Sequence, residues 1–299
     1  MTFYRRQALW GLAFAAPALL LFGMIVAYPL LWAGWLSLQD YSLLGRKVFT
    51  GLGNYVRLWS DPLFWKSLGN SAVWTTGVVP AVLLISLPLA LALNLPLLRL
   101  RAAFRTAYFA PVVTNVVAAA FVWRWLFDPQ LGPINQALKA VGVSGPAWLA
   151  DPAWALLAMM IVAVWKQIGQ ALVLFLAGLQ TIPQEFTEAA QIDGASPWQV
   201  FWRVTLPLLN PTLLFVVVIL VINALRVFTI PYVMSAGGLQ WTTPGGPLDS
   251  TRVFVLHIYD NGFVRFQMGY ASANAFVLMA LIIVLTLIQM KLIQRPFEY

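Results

Sequence analysis

Five stretches of this chain run without a charged side chain for long enough to cross a lipid bilayer: between Arg6 and Asp40, Lys66 and Arg99, Arg105 and Arg124, Arg203 and Arg226, and Arg265 and Lys291. A sixth, from Pro152 to Gln184, is broken only by Lys166. About 20 apolar residues span the hydrocarbon core as a helix, and the core leaves no backbone group unpaired, so such runs fold as helices. They predict six spans near 9–36, 70–94, 106–126, 154–179, 206–230 and 270–291, of which the third is the shortest. The fold class that follows is all-α, a six-helix transmembrane bundle. Composition agrees: 61% of residues are hydrophobic and 9% charged, against about 45–50% and about 25% in a soluble domain.

The first run follows Arg5 and Arg6 but is longer than the apolar region of a secretory signal and carries Pro17, Pro29 and tryptophans to its end, so it reads as a retained anchor. With no cysteine, disulfides, thiolate metal sites and cysteine nucleophiles are excluded. A net charge of +8 would suggest nucleic acid in a soluble chain; here basic residues beside lipid are the simpler account, and no nucleic-acid partner is expected. Basic residues mark the cytoplasmic side, yet the two sides of a six-span chain tie. Arg5, Arg6, Arg99, Arg101, Arg105, Arg203, Lys291 and Arg295 fall on one side, and Arg46, Lys47, Arg57, Lys66, Arg124, Lys139, Arg252 and Arg265 on the other. The tight Arg99 to Arg105 loop and both termini favour cytoplasmic N- and C-termini.

No repeat and no soluble domain is visible, so residues 1–299 read as one membrane domain. Loop 37–69 holds GLGNYVRL, expected as a turn, then the aromatic SDPLFWKS, expected as a short interfacial helix. Loop 127–153 is turn-rich. Loop 231–269 holds SAGGLQWTTPGGP and TRVFVLHIYDNGF, the latter expected as an amphipathic helix. Pro80 and Pro88 predict a bent second span.

None of the ten acidic residues lies inside an apolar span. Proton- and sodium-driven carriers keep an ionisable group there, which counts against a self-sufficient carrier. Lys166 near mid-span faces a helix interface or a watery path, or is a structural lysine bonded to backbone carbonyls, and Arg226 snorkels near the outer span end. The single histidine, His257, lies in a loop; no acid, base and nucleophile converge as a membrane-embedded enzyme requires, and no metal site is expected. No GxxxxGK[ST] phosphate loop occurs, so energy for active transport would come from another chain.

The segment Glu185 to Pro211, EFTEAAQIDGASPWQVFWRVTLPLLNP, is polar between two greasy spans. Pro183 suits a first helical turn, Glu185 and Glu188 suit the dipole of a helix N-terminus, and Gly194 is a natural stop. Ser196 and Pro197 read as the cap and first position of a second helix through Trp198, Phe201 and Trp202. Two helices joined at a glycine form a peg, with Ala189 and Ala190 leaving room for another backbone; an ordinary interfacial loop is the simpler alternative. EAAQIDGA followed by VTLP resembles the EAA loop of bacterial ABC importer permeases. Glu188, Ala189, Ala190, Asp193, Gly194, Ala195, Leu206 and Pro207 match it in type and spacing, and Val204 stands where isoleucine is more usual. The chain is similar to the maltose and glycerol-phosphate importer permeases along nearly its whole length, with GLGNYVRL, LAGLQTIP, TTPGGP, HIYDNGF and MGYASANA in support.

The resemblance implies the type I ABC importer permease fold, with a first span (9–36) added ahead of core spans at 70–291 and a cytoplasmic coupling loop at 183–207. It implies a multi-pass bacterial inner-membrane subunit with cytoplasmic termini and no enzymatic activity. The partners implied are a second homologous permease, a cytoplasmic ABC ATPase dimer that binds ATP and magnesium in this chain's stead, and an extracytoplasmic substrate-binding protein docking on the loops at 37–69, 127–153 and 231–269. The substrate is a carbohydrate or, alternatively, glycerol-3-phosphate or another polyol phosphate. Positions matching the sugar path of relatives are Trp165, Gln167 and Gln170 on the fourth span and Ile222 and Asn223 on the fifth, with Lys166 beside them. Amides exchange hydrogen bonds with hydroxyls and an indole packs on a pyranose face; the same amides could equally tie helices together.

Overall fold

The structure is a computed structural model that describes residues 3–43, 45, 47–95, 101–235 and 244–293. Arg46, Arg99, Arg295, Glu298 and residues 236–243 of SAGGLQWTTPGGP lie outside the described residues. The chain begins with α1 (Phe3–Phe22), a π-turn (Gly23–Ala27), α2 (Tyr28–Ser37), the strands β1 (Gln39–Tyr41) and β2 (Lys47–Phe49), α3 (Gly53–Ser60) and α4 (Pro62–Asn94). It continues through α5 (Arg101–Val113), α6 (Val116–Leu126), α7 (Pro133–Ala140), α8 (Pro152–Gln180), α9 (Gln184–Ile192), α10 (Pro197–Val200), a π-turn (Phe201–Thr205) and α11 (Leu206–Leu208). It closes with α12 (Asn210–Leu225), α13 (Thr229–Ser235), α14 (Phe254–Tyr259), a π-turn (Asp260–Val264) and α15 (Met268–Ile293).

Among the described residues, five spans are long and apolar enough to cross a membrane: Trp10–Ser37, Pro62–Asn94, Pro152–Gln180, Asn210–Ser235 and Met268–Ile293. The sixth is not the single helix expected over 106–126. Ala102–Val113 and Val116–Leu126 meet at 97°, because Asn115 adopts an extended conformation and its side chain accepts from the Val117 and Ala118 amides, starting a new helix. The second span starts earlier than expected, at Pro62, absorbing the aromatic segment predicted as a separate interfacial helix; GLGNYVRL instead supplies most of α3. Pro80 and Pro88 leave α4 a single assigned helix.

Contacts divide the chain into two compact units, Met1–Asp61 with Ile258–Val277, and Pro62–His257 with Leu278–Tyr299. In the first unit, Pro29 has no N–H and its ring would collide with the Ile25 carbonyl four residues back. The helix therefore admits one extra residue, and the Tyr28 N–H bonds the Gly23 carbonyl. The antiparallel β1–β2 pair, too short for a hydropathy signal, sets Gln39 opposite Phe49. Asn54 Nδ2 ties it to the end of α2 by donating to the carbonyls of Ser37 (2.9 Å) and Gln39 (2.8 Å). Tyr270 Oη donates to Asp61 Oδ2 at 2.6 Å, and the Arg57 guanidinium lies 4.4 Å from the centre of the Tyr270 ring.

In the second unit α8 is the central helix, packed along α4 and also touching α5, α12 and α13. Trp74, Val78 and Val82 recur at i, i+4 on α4 and are fully buried, as are Ala155, Ala158, Met159, Val162, Leu172 and Phe175 on α8. Gly169 lets α5 come close: a Cβ there would overlap the Tyr108 carbonyl oxygen. In this unit the stretch expected as an amphipathic helix opens as α14, in which Phe254, Leu256 and His257 are all buried. It is no surface helix, because the top of α4 receives it: Ser71 Oγ accepts from the Phe254 amide at 2.8 Å, and Asn70 Nδ2 donates to the carbonyls of Asp249 and Arg252.

Candidate functional site

The peg forms from bonds between near neighbours. Pro183 precedes α9 as its cap rather than entering its first turn. At the far end Gly194 takes φ +81°, the Gly194 amide bonds the Gln191 carbonyl and the Ala195 amide bonds the Ala190 carbonyl. This is the pair of bonds that closes a helix on a left-handed residue, which glycine adopts at no steric cost. Two residues later Ser196 and Gln199 cap reciprocally, the Ser196 amide donating to Gln199 Oε1 at 2.8 Å and the Gln199 amide to Ser196 Oγ at 3.4 Å, with Pro197 at the first helical position. Both glycine stop and serine start stand where the spacing put them.

From Pro197 the chain runs helically into the fifth span, interrupted by a π-turn at Phe201–Thr205 and a turn at Leu209. The Leu206 N–H bonds the Phe201 carbonyl, a π-turn directly ahead of Pro207. The same cause acts as at Pro29, since the Pro207 ring would strike the Arg203 carbonyl. The Leu206–Pro207 pair thus joins peg to span through an inserted residue.

The peg projects. Glu188, Ala189, Asp193 and Gly194 are exposed, Ala190 and Ala195 partly so. Ile192 is 87% exposed and Trp198 69%. Neither the Glu188 nor the Asp193 carboxylate is bonded among the described residues. Trp202 meets Trp198 and Phe201 edge to face, with centroids 5.5 Å and 5.2 Å away, while Trp198 and Phe201 are tilted by 34°. Behind them an apolar groove of about 990 Å³ separates α9 and α10 from the ends of α4 and α8, with Gln184, Thr187 and Gln191 on the α9 side.

The path candidates do not share one face. Residues two apart on a helix point about 200° away from each other, so Trp165 and Gln167 lie on opposite sides of α8. Trp165 meets Trp123 of α6 edge-on, ring centroids 5.5 Å apart; Trp123 carries no sequence signal, since only the bend of the third span brings it there. Lys166 Nζ donates to the carbonyls of Pro111 and Thr114, each at 2.7 Å. Gln170 is exposed one turn beyond Lys166, on the same side. Gln167 is half-buried, its Nε2 reaching the Ala163 carbonyl at only 3.4 Å and its Oε1 buried without a partner. On α12, Ile222 is half-buried and Asn223 exposed. No cluster of metal-ligating side chains occurs among the described residues.

A family model described as the binding-protein-dependent transport system inner membrane component matches residues 83–297. The chain belongs to that family. The matched segment of this inner-membrane transport component holds the peg and every path candidate, while the first span and α3 precede it. Over 283 residues it is 36% identical to the lactose transport system permease protein LacF of Rhizobium radiobacter, covering 93% of this chain and 92% of that protein. It is 33% identical to the trehalose/maltose transport system permease protein MalF of Thermococcus litoralis over 96% of this chain and 94% of that one. A chain in the crystal structure of a bacterial alginate ABC transporter, bound to a periplasmic protein carrying an alginate pentasaccharide, shares the fold. The TM-score is 0.80 at 22% identity, over 96% of this chain and 93% of that chain. The fold is therefore that of an ABC importer permease, and the chain is a transport component rather than an enzyme.

Proposed function

We propose that the chain forms half of the translocation path of an ABC importer for a carbohydrate, delivered by an extracytoplasmic binding protein. The observation that carries this reading is the peg at Glu185 to Pro207: a rigid, exposed helix–glycine–helix whose free carboxylates and small residues suit insertion into a cleft of a cytoplasmic ATPase. Charge-assisted bonds from Glu188 and Asp193 would hold it there. Its cytoplasmic docking puts both termini in the cytoplasm. The second permease completes the path, and the ATPase pair binds ATP and magnesium and drives the spans between inward- and outward-open states. A sugar is favoured over glycerol-3-phosphate or another polyol phosphate because the relatives carry lactose and trehalose/maltose in their names. In addition, two of the three N–H groups of Lys166 are already held by carbonyls.

Tagging the chain in its own host and identifying what co-purifies tests this directly. The expected result is a P-loop ATPase, a second six-span permease and a binding protein, whose ligand is then found by screening sugars. Glu188→Lys should abolish uptake and release the ATPase while the chain still reaches the membrane. Normal uptake by that variant, or a chain that purifies alone and moves solute without ATP, would sink the assignment.

A further inference from the structure

The elbow of the third span leaves a problem that a membrane does not forgive. A continuous helix would give the Pro111 carbonyl to the Asn115 amide and the Thr114 carbonyl to the Ala118 amide. Here the Ala118 amide turns to Asn115 Oδ1 instead, and the carbonyls that end α5 lose their helical donors. At membrane depth each open carbonyl costs several kcal/mol unless protein supplies a partner. Thr114 Oγ1 reaches back to the Pro111 carbonyl at 2.7 Å, and Lys166 Nζ donates to both carbonyls. One turn along α8, Gly169 removes the side chain that would keep the Tyr108 carbonyl away, which brings the end of α5 within reach of the lysine. Two independent features of α8, a missing Cβ and an ammonium, thus serve the same elbow.

We propose that Lys166 is the latch of the third span: a positioning residue whose ammonium fixes the bend between α5 and α6 and so holds Trp123 against Trp165. The charge is tolerated between apolar spans because two carbonyl oxygens accept from it, and carbonyls at a helix C-terminus carry the negative end of the dipole. Removing it leaves the third span two ways to satisfy its backbone: admit water at the elbow, or straighten. Either one moves α6, and Trp123 with it, although Lys166 bonds Pro111 and Thr114 rather than α6. This role rests on the importer reading only where transport is the readout.

The chain has no cysteine, so a labelled pair is unique. Phe104→Cys and Trp125→Cys replace exposed residues on the two arms. Spin labels there report the elbow by pulsed dipolar spectroscopy on the full chain in bilayers. A straight helix would separate those backbone positions by about 32 Å, and the right-angle elbow by much less. The native lysine and Lys166→Arg, which keeps donors and charge, should give the same short, narrow distribution; Lys166→Met should broaden it or move it outward. Should the Met variant fail to accumulate, Lys166→Gln, with donors on a shorter stem, should broaden it. An unchanged distribution in Met or Gln overturns the latch. In uptake assays of the assembled transporter, Lys166→Met should lose more than tenfold in rate per inserted chain and Lys166→Arg should restore it. An Arg variant with an intact elbow and no transport would also overturn the proposal. The distance measurement needs neither sugar nor partners, so its failure speaks against the latch alone, whereas a native complex that imports no sugar speaks against the function alone.

Discussion

Gly194 is the residue on which the shape of the peg turns. Its φ of +81° is left-handed, and a Cβ there would meet nothing within 4 Å, so a side chain brings strain without collision. L-residues pay roughly 1–2 kcal/mol in that region, and asparagine tolerates it better than alanine or valine. Uptake per inserted chain should therefore fall in the order Gly, Asn, Ala, Val, while membrane levels stay constant because the site is exposed. Equal rates for Gly194→Asn and Gly194→Val would show that the left-handed turn does not matter to coupling. Glu188 and Asp193 belong to the same scale but act differently: they shape nothing within the chain, and their effect is read only against a partner.

Among elements, the π-turn at Phe201–Thr205 carries the most specific prediction. It inserts one residue, and one residue is about 100° of rotation about the helix axis. Pro207→Ala removes the collision that requires it, so the helix should relax to ordinary α-geometry, turning Trp198 and α9 relative to α12. Uptake should drop severely although no contacting group is lost; retained uptake would mean the register of the peg is not fixed by this turn. The peg was legible in the sequence because its determinants are local: Glu185 in the first turn of α9, and Gly194, Ser196 and Pro197 within four positions at the joint; Gln199, the other half of the serine cap, was not read. The elbow was not, because hydropathy is blind to a break whose cause is an amide side chain, Asn115, and whose support, Lys166, comes from another helix. The β1–β2 pair was hidden by its three-residue strands. The burial of α14 was hidden for a different reason: Phe254 at its start meets Ser71 and Phe64, almost two hundred residues earlier. The path candidates were chosen by likeness, and helical geometry then divided Trp165 from Gln167.

At the scale of the molecule, burial is uneven. The most apolar window of the first span is 0% buried within the chain and that of the last span 6%, against 44% for Pro152–Gln180. No residue of that window of the first span is itself buried. A chain lacking residues 1–36 should still insert spans two to six and keep a cooperative thermal transition of that unit. Loss of that transition would show the first span to be part of its core. The elbow also has a consequence in time. Its arms are 13 and 11 residues long, about 20 Å and about 17 Å as helices, each short of the roughly 30 Å hydrocarbon core. Neither is a span by itself, and the lysine that closes the elbow stands 55 residues after Pro111. When the ribosome first delivers α5 and α6 to the bilayer, that lysine has not yet arrived. If Lys166 is the latch, the third span is expected to enter straight, its carbonyls satisfied by its own helix, and to bend only after the fourth span has been made beside it.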